Sequence, residues 1–129
     1  TQQALAQMKE HSEESHIIHI GSMSGHRVPP GANGVYCATK FAVRALTESL
    51  RQEMQAAKRA VRVTTISPGL VETGFASNYA GSADAAAKTY GALKCLQSED
   101  VASAVLYALT QPDHVQIHDI LLRPKEQGS

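Results

Sequence analysis

A long helical segment between two short β-branched segments constrains the fold of this chain more than any other feature. Residues 35–58 contain neither glycine nor proline and are rich in Ala, Leu, Glu, Gln and Arg, which predicts one helix. Residues 16–20 and 61–67 are rich in Ile, Val and Thr, and each run is closed by glycine or by Pro-Gly, which predicts two strands. Strand, helix and strand in this order form a β-α-β unit, so the strands are expected to pair in parallel.

The rest of the chain extends this unit to a larger sheet. Residues 1–14 show the spacing of an amphipathic helix end, and residues 115–122 predict a third strand. Ser98 is expected to cap a helix that runs to about Thr110, because two acidic residues follow it in the first turn. The predicted fold class is therefore α/β: half of a doubly wound parallel sheet, about three strands with helices between them.

Polar and glycine-rich residues follow the predicted strands. Ser22 comes directly after the first strand, in a loop of residues 21–34 that holds two prolines and four glycines. Pro68 and Gly69 come directly after the second strand. Ligands of doubly wound sheets bind beyond the carboxyl ends of the strands, so both loops are expected to contribute to a site.

Tyr36 and Lys40, at the start of the long helix, are the main candidates for chemistry. Their spacing of four places both side chains on one helix face. A phenol titrates near pKa ~10, and a neighbouring cation stabilises its anionic form. The pair therefore fits an acid/base device for a hydroxyl or carbonyl substrate. Taken alone, the same two residues also fit the start of an ordinary solvated helix.

The composition limits the class of partner. The 129 residues are 43% apolar, enough for one packed domain, and the 12 basic and 12 acidic residues are mixed along the chain. The lack of a basic stripe argues against nucleic acid or an anionic membrane as a partner. No apolar run reaches the ~20 residues of a membrane helix. Cys37 and Cys95 show no C-x-x-C spacing, so we expect reduced thiols and a cytosolic protein.

The six histidines raise the question of a metal site. Only His16 and His19 are close in sequence, and their odd spacing on a strand puts them on opposite faces. Side chains on opposite faces cannot bind one ion, so no metal site is predicted. The histidines are expected at the surface or in packing contacts.

The long helix has two apolar faces. One carries small residues and the other bulky ones: Ala38, Ala42, Ala45 and Ser49 on the first, and Val43, Leu46, Leu50 and Met54 on the second. A small face allows close packing, and two apolar faces predict burial on more than one side. The helix is therefore expected to take part in a subunit contact.

Three motifs follow one another along the chain: I-G-S-M-S-G at residues 20–25, Y-C-A-T-K at residues 36–40 and I-S-P-G-L-V-E-T at residues 66–73. By these motifs the chain resembles, over essentially its whole length, the catalytic half of the short-chain dehydrogenase/reductase family. The resemblance implies a Rossmann-like fold and an NAD(P)(H)-dependent oxidoreductase. It further implies ketosteroids or similar apolar carbonyls and alcohols as substrates, NADP as cofactor with NAD as the alternative, and a homodimer or tetramer.

The resemblance also implies roles for single residues. Tyr36 would be the general acid in carbonyl reduction, or the base in alcohol oxidation. Lys40 would stabilise the phenolate and bind the nicotinamide ribose. Ser22 would bind the substrate oxygen, with Ser24 as the less favoured alternative.

Four residues after the second strand would line the nicotinamide: Pro68, Gly69, Val71 and Thr73. The alternative interpretation treats Pro68 and Gly69 as a strand-ending turn, Thr73 as a helix cap and Ser22 as an ordinary loop serine. Tyr79 and Tyr90, in the irregular residues 74–97, either wall an apolar pocket or cover the core.

The departures from the family pattern concern its first half. The glycine-rich turn that binds the pyrophosphate does not occur here, nor does the family's N-N-A-G strand signal. The first residues contain no methionine and no signal pattern. Residues 1–129 are therefore expected to be the C-terminal catalytic part of a single domain whose N-terminal cofactor-binding half is absent.

Two other functions remain open at this point. A truncated, non-catalytic relative would act only by association through its long helix. An extended-type epimerase or dehydratase would share the Tyr-x-x-x-Lys pattern, although the Pro-Gly-x-x-x-Thr run fits the reductases better.

Overall fold

A computed structural model describes residues 1–11, 14–29, 31–75, 90–91 and 93–128, with the side chains of residues 9–11 left aside. Its elements follow in the order helix, strand, helix, strand, helix, strand, with a short 3-10 helix after the first strand. They are α1 (Gln2–His11), β1 (Ser15–Ile20), the 3-10 helix (Met23–Gly25), α2 (Gly34–Ala56), β2 (Val61–Pro68), α3 (Ser98–Leu109) and β3 (Asp119–Leu122).

The three strands form one parallel sheet in the order β1-β2-β3. Ile20 at the end of β1 is level with Ile66, and Ser67 near the end of β2 is level with Leu121. The predicted α/β class, with three parallel strands and helices between them, is thus confirmed. Because the pairing is parallel, the carboxyl ends of all three strands lie at one edge.

The core lies between the sheet and α2. Ile17 and Val63 of the sheet pack against Leu50 and Met54 of the helix, and Val63 is fully buried. Each fully buried aliphatic side chain contributes about 1.5–3 kcal/mol relative to exposure. This contact holds α2, and with it the residues at the start of α2, at a defined height over the strand ends.

The described residues cover one stripe of α2. Leu50 and Met54 of the predicted bulky face are buried, but Leu46 is 67% exposed. The small-residue face is exposed at all four positions: Ala38, Ala42, Ala45 and Ser49. Burial of a second side through a subunit contact therefore stays a prediction.

The third strand is shorter than predicted. It begins at Asp119, whereas the sequence pattern placed its start at residue 115. Residues 115–118 still run beside β2, where the Thr65 N–H donates to the His118 carbonyl at 3.0 Å and side chains make the bonds before that point. Thr64 Oγ1 donates to the Ile117 carbonyl at 2.7 Å, and the Gln116 amide bonds both the N–H and the carbonyl of Val63 at 3.2 and 2.9 Å.

The cap of α3 lies one residue before the predicted one. Ser98 is the first helical residue and Gln97 is the N-cap. The Gln97 N–H donates to Asp100 Oδ2 at 2.8 Å, which satisfies a backbone donor that the helix cannot. The two acidic residues of the first turn are placed as the helix dipole favours.

In the part of the chain that the structure describes, no helix has both the length and the apolarity to cross a membrane.

The two strand histidines occupy opposite faces of β1, as their spacing predicted. His16 Nε2 lies 2.7 Å from Thr64 Oγ1 of β2, and His19 Nδ1 lies 2.8 Å from Thr47 Oγ1 of α2. Both imidazoles are half-buried, and burial lowers the pKa of each. They are packing residues in the structure.

Two glycines let the loop after β1 approach its neighbours closely. A Cβ on Gly21 would lie 2.7 Å from Thr65 Cγ2, and a Cβ on Gly25 would lie 2.7 Å from the Lys40 carbonyl oxygen. Neither distance is tolerated by a real side chain. The loop that carries Ser22 is therefore pressed between the end of β2 and the first turns of α2.

We expect Gly25→Ala to destabilise the protein by about 1–3 kcal/mol, because the new methyl group meets backbone rather than a movable side chain. The free energy of unfolding, from denaturant titration of the longest natural form that contains this sequence, measures the effect. Gly34→Ala is the matched control, since a Cβ there meets nothing within 4 Å. Equal stability of the two variants would contradict the close approach.

We expect the stability of the protein to fall as the pH drops below about 6.5. The fold lowers the pKa of His16 and His19, so as the pH falls the unfolded chain binds protons at these histidines before the folded chain does, and protonation favours unfolding. Above about pH 6.5 both histidines are neutral in the folded and the unfolded chain, so they add no pH dependence to the stability. Unfolding midpoints at about pH 7.5 and about pH 5 test this. The double variant His16→Gln, His19→Gln should show a smaller difference than the wild type, whereas the exposed His114→Gln should not.

Candidate active site

One cleft at the carboxyl edge of the sheet contains every residue that the sequence predicted as catalytic or cofactor-binding. Its volume is about 320 Å³. The predicted residues on its wall are Ser22, Tyr36, Lys40, Pro68, Gly69, Val71 and Thr73. They come from the loop after β1, the start of α2 and the segment after β2, which the parallel sheet brings to the same edge.

Asn33 fixes the turn that carries Tyr36. Its side-chain oxygen accepts hydrogen bonds from the N–H groups of Val35 at 3.0 Å and Tyr36 at 3.2 Å. This is an N-cap, and it satisfies two of the donors that the first helical turn leaves open. The backbone of Tyr36 is therefore held by a side chain that lies outside the cleft.

Lys40 lies between Tyr36 and the end of β1. Its Nζ is 5.7 Å from the centroid of the Tyr36 ring and donates to the Ile20 carbonyl at 3.4 Å. The two side chains thus share one helix face, as their spacing predicted. The ammonium group lies over the Tyr36 ring, at a distance typical of a cation–π contact.

Ser22 and Ser24 are separated by the structure. Ser22 lies on the cleft, while Ser24 is not among its lining residues. Ser22 Oγ accepts from the Ser24 N–H at 3.1 Å and so caps the 3-10 helix. A hydroxyl has one donor and two acceptor sites, so this bond leaves the Ser22 O–H for another acceptor.

The Pro68–Gly69 turn is held by the C-terminal segment. The Gly69 N–H donates to the Leu122 carbonyl at 2.7 Å, and the next N–H, of Leu70, donates to Gln127 Oε1 at 2.9 Å. A Cβ on Gly69 would collide with Gln127 Oε1 and approach Arg123 Cβ to 2.8 Å. Glycine is required here for packing, as well as for access to the cleft.

The Thr73 hydroxyl bonds a backbone group two residues further on. Its Oγ1 accepts from the Phe75 N–H at 3.2 Å. Tyr90 donates its hydroxyl proton to the Thr73 carbonyl at 2.8 Å and is not one of the cleft residues. Tyr90 thus holds the backbone of a residue of the cleft wall without lining the cleft itself. Tyr79 lies outside the described residues.

Besides Gly21, the neighbour of Ser22, four further residues line the cleft and were not predicted: Ile20, Phe75, Ser98 and Val101. The ring of Phe75 lies 5.8 Å from that of Tyr36 and is 52% exposed. Ser98 and Val101 belong to the first turns of α3, which runs towards β3. The parallel topology was the signal that could have found them, because the starts of the crossover helices meet at the carboxyl edge.

The cysteines and possible metal ligands are the remaining candidates for chemistry among the described residues. Cys37 and Cys95 are free and buried, and burial raises the pKa of the Cys95 thiol, with Glu72 adding to the effect. A buried thiol with a raised pKa is a poor nucleophile. Among the described residues, no three His, Cys, Asp or Glu side chains are grouped so that they could hold a metal ion.

Comparison with known proteins identifies the family. The family model described as short chain dehydrogenase matches residues 1–84, which include the Ser22 loop and the Tyr36 and Lys40 turns. The chain belongs to the short-chain dehydrogenase family. The resemblance predicted from the three motifs is thereby confirmed.

Relatives within the short-chain dehydrogenase family are similar over the whole chain. The chain is 52% identical over 132 residues to dehydrogenase/reductase SDR family member 11 of Gallus gallus, which covers 100% of this chain and 52% of that protein. It is 39% identical over 126 residues to a farnesol dehydrogenase of Aedes aegypti, over 96% of this chain and 48% of that protein. The chain thus spans about half the length of the curated relatives it matches.

Solved structures of dehydrogenases share the fold. The closed form of serine dehydrogenase complexed with NADP+ has a TM-score of 0.86 at 39% identity, over 99% of this chain and 51% of that one. An alcohol dehydrogenase from the archaeon Thermococcus sibiricus, complexed with 5-hydroxy-NADP, has a TM-score of 0.70 at 23% identity, over 97% of this chain and 47% of that one. These neighbours confirm the Rossmann-like fold.

We expect Asn33→Ala to lower the free energy of unfolding by about 1 kcal/mol, because two N–H groups of α2 lose their acceptor. Asn33→Asp keeps the acceptor and should restore most of the loss. Denaturant titration of the longest natural form of the protein compares the three. Equal stability of Asn33→Ala and the wild type would show that the cap does not hold the turn of Tyr36.

Proposed function

We propose that the protein containing this chain is an NADP(H)-dependent oxidoreductase that interconverts a carbonyl and a secondary alcohol on a small apolar molecule such as a ketosteroid. The observation that carries the proposal is the convergence of Ser22, Tyr36 and Lys40 with the segment from Pro68 to Thr73 on one cleft. Family membership supports the reaction class, since the chain matches the short chain dehydrogenase model.

The three polar side chains divide the work on the substrate oxygen. Tyr36 gives a proton to the carbonyl oxygen in reduction and takes it back in oxidation. Lys40, 5.7 Å from the Tyr36 ring, stabilises the phenolate formed in between. Ser22 donates its remaining O–H to the same oxygen and fixes its position. The nicotinamide, when bound, supplies the hydride.

The cleft fits the nicotinamide end of a cofactor in shape and in chemistry. The flat nicotinamide ring needs an apolar surface, which Ile20 and Val71 supply. Its carboxamide needs hydrogen-bonding groups, and the Thr73 hydroxyl is one of them. Lys40 would bind the ribose hydroxyls. Solved neighbours are complexed with NADP+ or with NADH, so NADP is our proposal and NAD the alternative.

The walls of the cleft favour an apolar substrate. Phe75 and Val101 line the cleft together with Ser22 and Tyr36, and no carboxylate is among its described lining residues. Among the relatives, one is named for farnesol and a structural neighbour for serine. An amino acid substrate would need charged partners for its ammonium and carboxylate groups. The apolar walls therefore support an apolar carbonyl or alcohol.

Assembly and location are part of the same proposal. The exposed apolar residues of α2, with Val35 at 76% and Leu46 at 67% exposure, support a homodimer or tetramer through this helix. The two free cysteines support a cytosolic location, because reducing compartments keep thiols free.

We expect Tyr36→Phe, in the longest natural form of the protein, to lower kcat for ketosteroid reduction by roughly 10²–10⁴-fold, because the ring stays and only the transferable proton is lost. NADPH binding, followed by nicotinamide fluorescence, should change little. Tyr107→Phe is the matched control, since Tyr107 lies 55% exposed on α3 away from the cleft.

Retained turnover in Tyr36→Phe would remove Tyr36 from the mechanism. If the wild type neither binds NADPH nor turns over any apolar ketone, the oxidoreductase proposal fails. A truncated relative that acts by association through α2 would then be the remaining interpretation.

A further inference from the structure

Three side chains from three different segments meet behind the cleft. His26 follows the 3-10 helix, Ser67 lies near the end of β2 and Asp119 is the first residue of β3. His26 Nε2 is 3.2 Å from both Ser67 Oγ and Asp119 Oδ2, and Ser67 Oγ is 3.1 Å from the same carboxylate oxygen. None of the three lines the cleft.

The bonding pattern within this cluster is determined by the carboxylate. An ionised carboxylate only accepts hydrogen bonds, so both the Ser67 hydroxyl and His26 Nε2 must donate to Asp119 Oδ2. Ser67 is 1% exposed, and the side chains of His26 and Asp119 are each 21% exposed. Bonds to a charged acceptor are strengthened when water has little access.

The cluster is connected to Ser22 by a short and rigid path. Ser22 and His26 are the two caps of the 3-10 helix Met23–Gly25. The other end of this path is tied to β2, because the Gly21 N–H donates to the Ile66 carbonyl at 2.8 Å. Arg27 adds a bond to the Gly128 carbonyl at 2.9 Å, but that bond reaches the C-terminal segment rather than the sheet.

We propose that His26, bound to Asp119 and Ser67, is a positioning residue that holds Ser22 in register with Tyr36. The expected effect on kcat rests on the proposed function. The expected effect on the loop that carries Ser22 rests on geometry alone. Gly25 allows the 3-10 helix to sit on the Lys40 carbonyl, and His26 anchors that helix to β2 and β3 from the other side. Without this anchor, the hydrogen bond that ties the described part of this loop to β2 is the one at the Gly21 end, from the Gly21 N–H to the Ile66 carbonyl.

Hydrogen exchange of the amides of residues 21–27 tests the structural part without cofactor or substrate. His26→Leu keeps volume but has no donor, and His26→Gln keeps an N–H donor at similar reach. We expect roughly tenfold faster exchange in the first, and less than about twofold change in the second. The matched control is His114→Leu, an exposed histidine outside this cluster.

The kinetic part uses the same variants in the longest natural form of the protein. Since about 1 Å of misplacement can cost ~10²-fold, a smaller displacement of Ser22 in His26→Leu should lower kcat by roughly tenfold. KM and the Kd for NADPH should change by less than about threefold, because Ser22 acts on the reacting oxygen. His26→Gln should recover most of the turnover.

The outcomes separate the two proposals. Unchanged exchange in His26→Leu, or equal exchange in the Leu and Gln variants, overturns the positioning role even if the wild type is an active reductase. If His26→Leu does not fold, Asp119→Asn, which keeps the shape and removes the charge, is measured in the same way. A wild type without reductase activity refutes the proposed function, while the exchange data still decide whether His26 holds the loop.

Discussion

The parallel pairing of β2 with both of its neighbours is the constraint on which the rest of this structure depends. Residues 63–68 of β2 are all buried, so this strand leaves no face for solvent. Parallel strands need crossover connections, and each crossover returns the chain to the same end of the sheet. The parallel topology alone therefore brings three segments to one edge: the loop after β1, the first turn of α2 and the segment after β2. The topology of the sheet sets the position of the cleft, and the side chains then form its lining.

Close backbone contacts then turn this edge into a site with fixed geometry. Gly21 and Gly25 press the Ser22 loop against Thr65 and the Lys40 carbonyl, where any side chain would collide. Tyr36 and Lys40 sit on a helix and Ser22 sits on a loop. The loop is held by packing on both sides, so it can be as well placed as the helix.

The sequence was sufficient for features that depend on local pattern, and insufficient for those that depend on tertiary contacts. The period of two in β1 separated His16 from His19, and the spacing of four brought Tyr36 and Lys40 together. By contrast, the start of β3 was missed because Gln116 and Thr64 bond the backbone in place of a ladder. Because these bonds join residues about 50 positions apart, no local sequence pattern predicts them.

The same division explains which cleft residues the sequence could predict. In the proposed function, the motif residues act on groups that do not change from one substrate to another: the reacting oxygen, the ribose and the carboxamide. Phe75 and Val101 line the same cleft, and their identity is not required by the sheet, the caps or the close approaches. A pattern shared by a family can reveal the first group only. The apolar character of Phe75 and Val101 is therefore information that the structure adds, and the proposed function assigns to these two residues the distinction between one substrate and another.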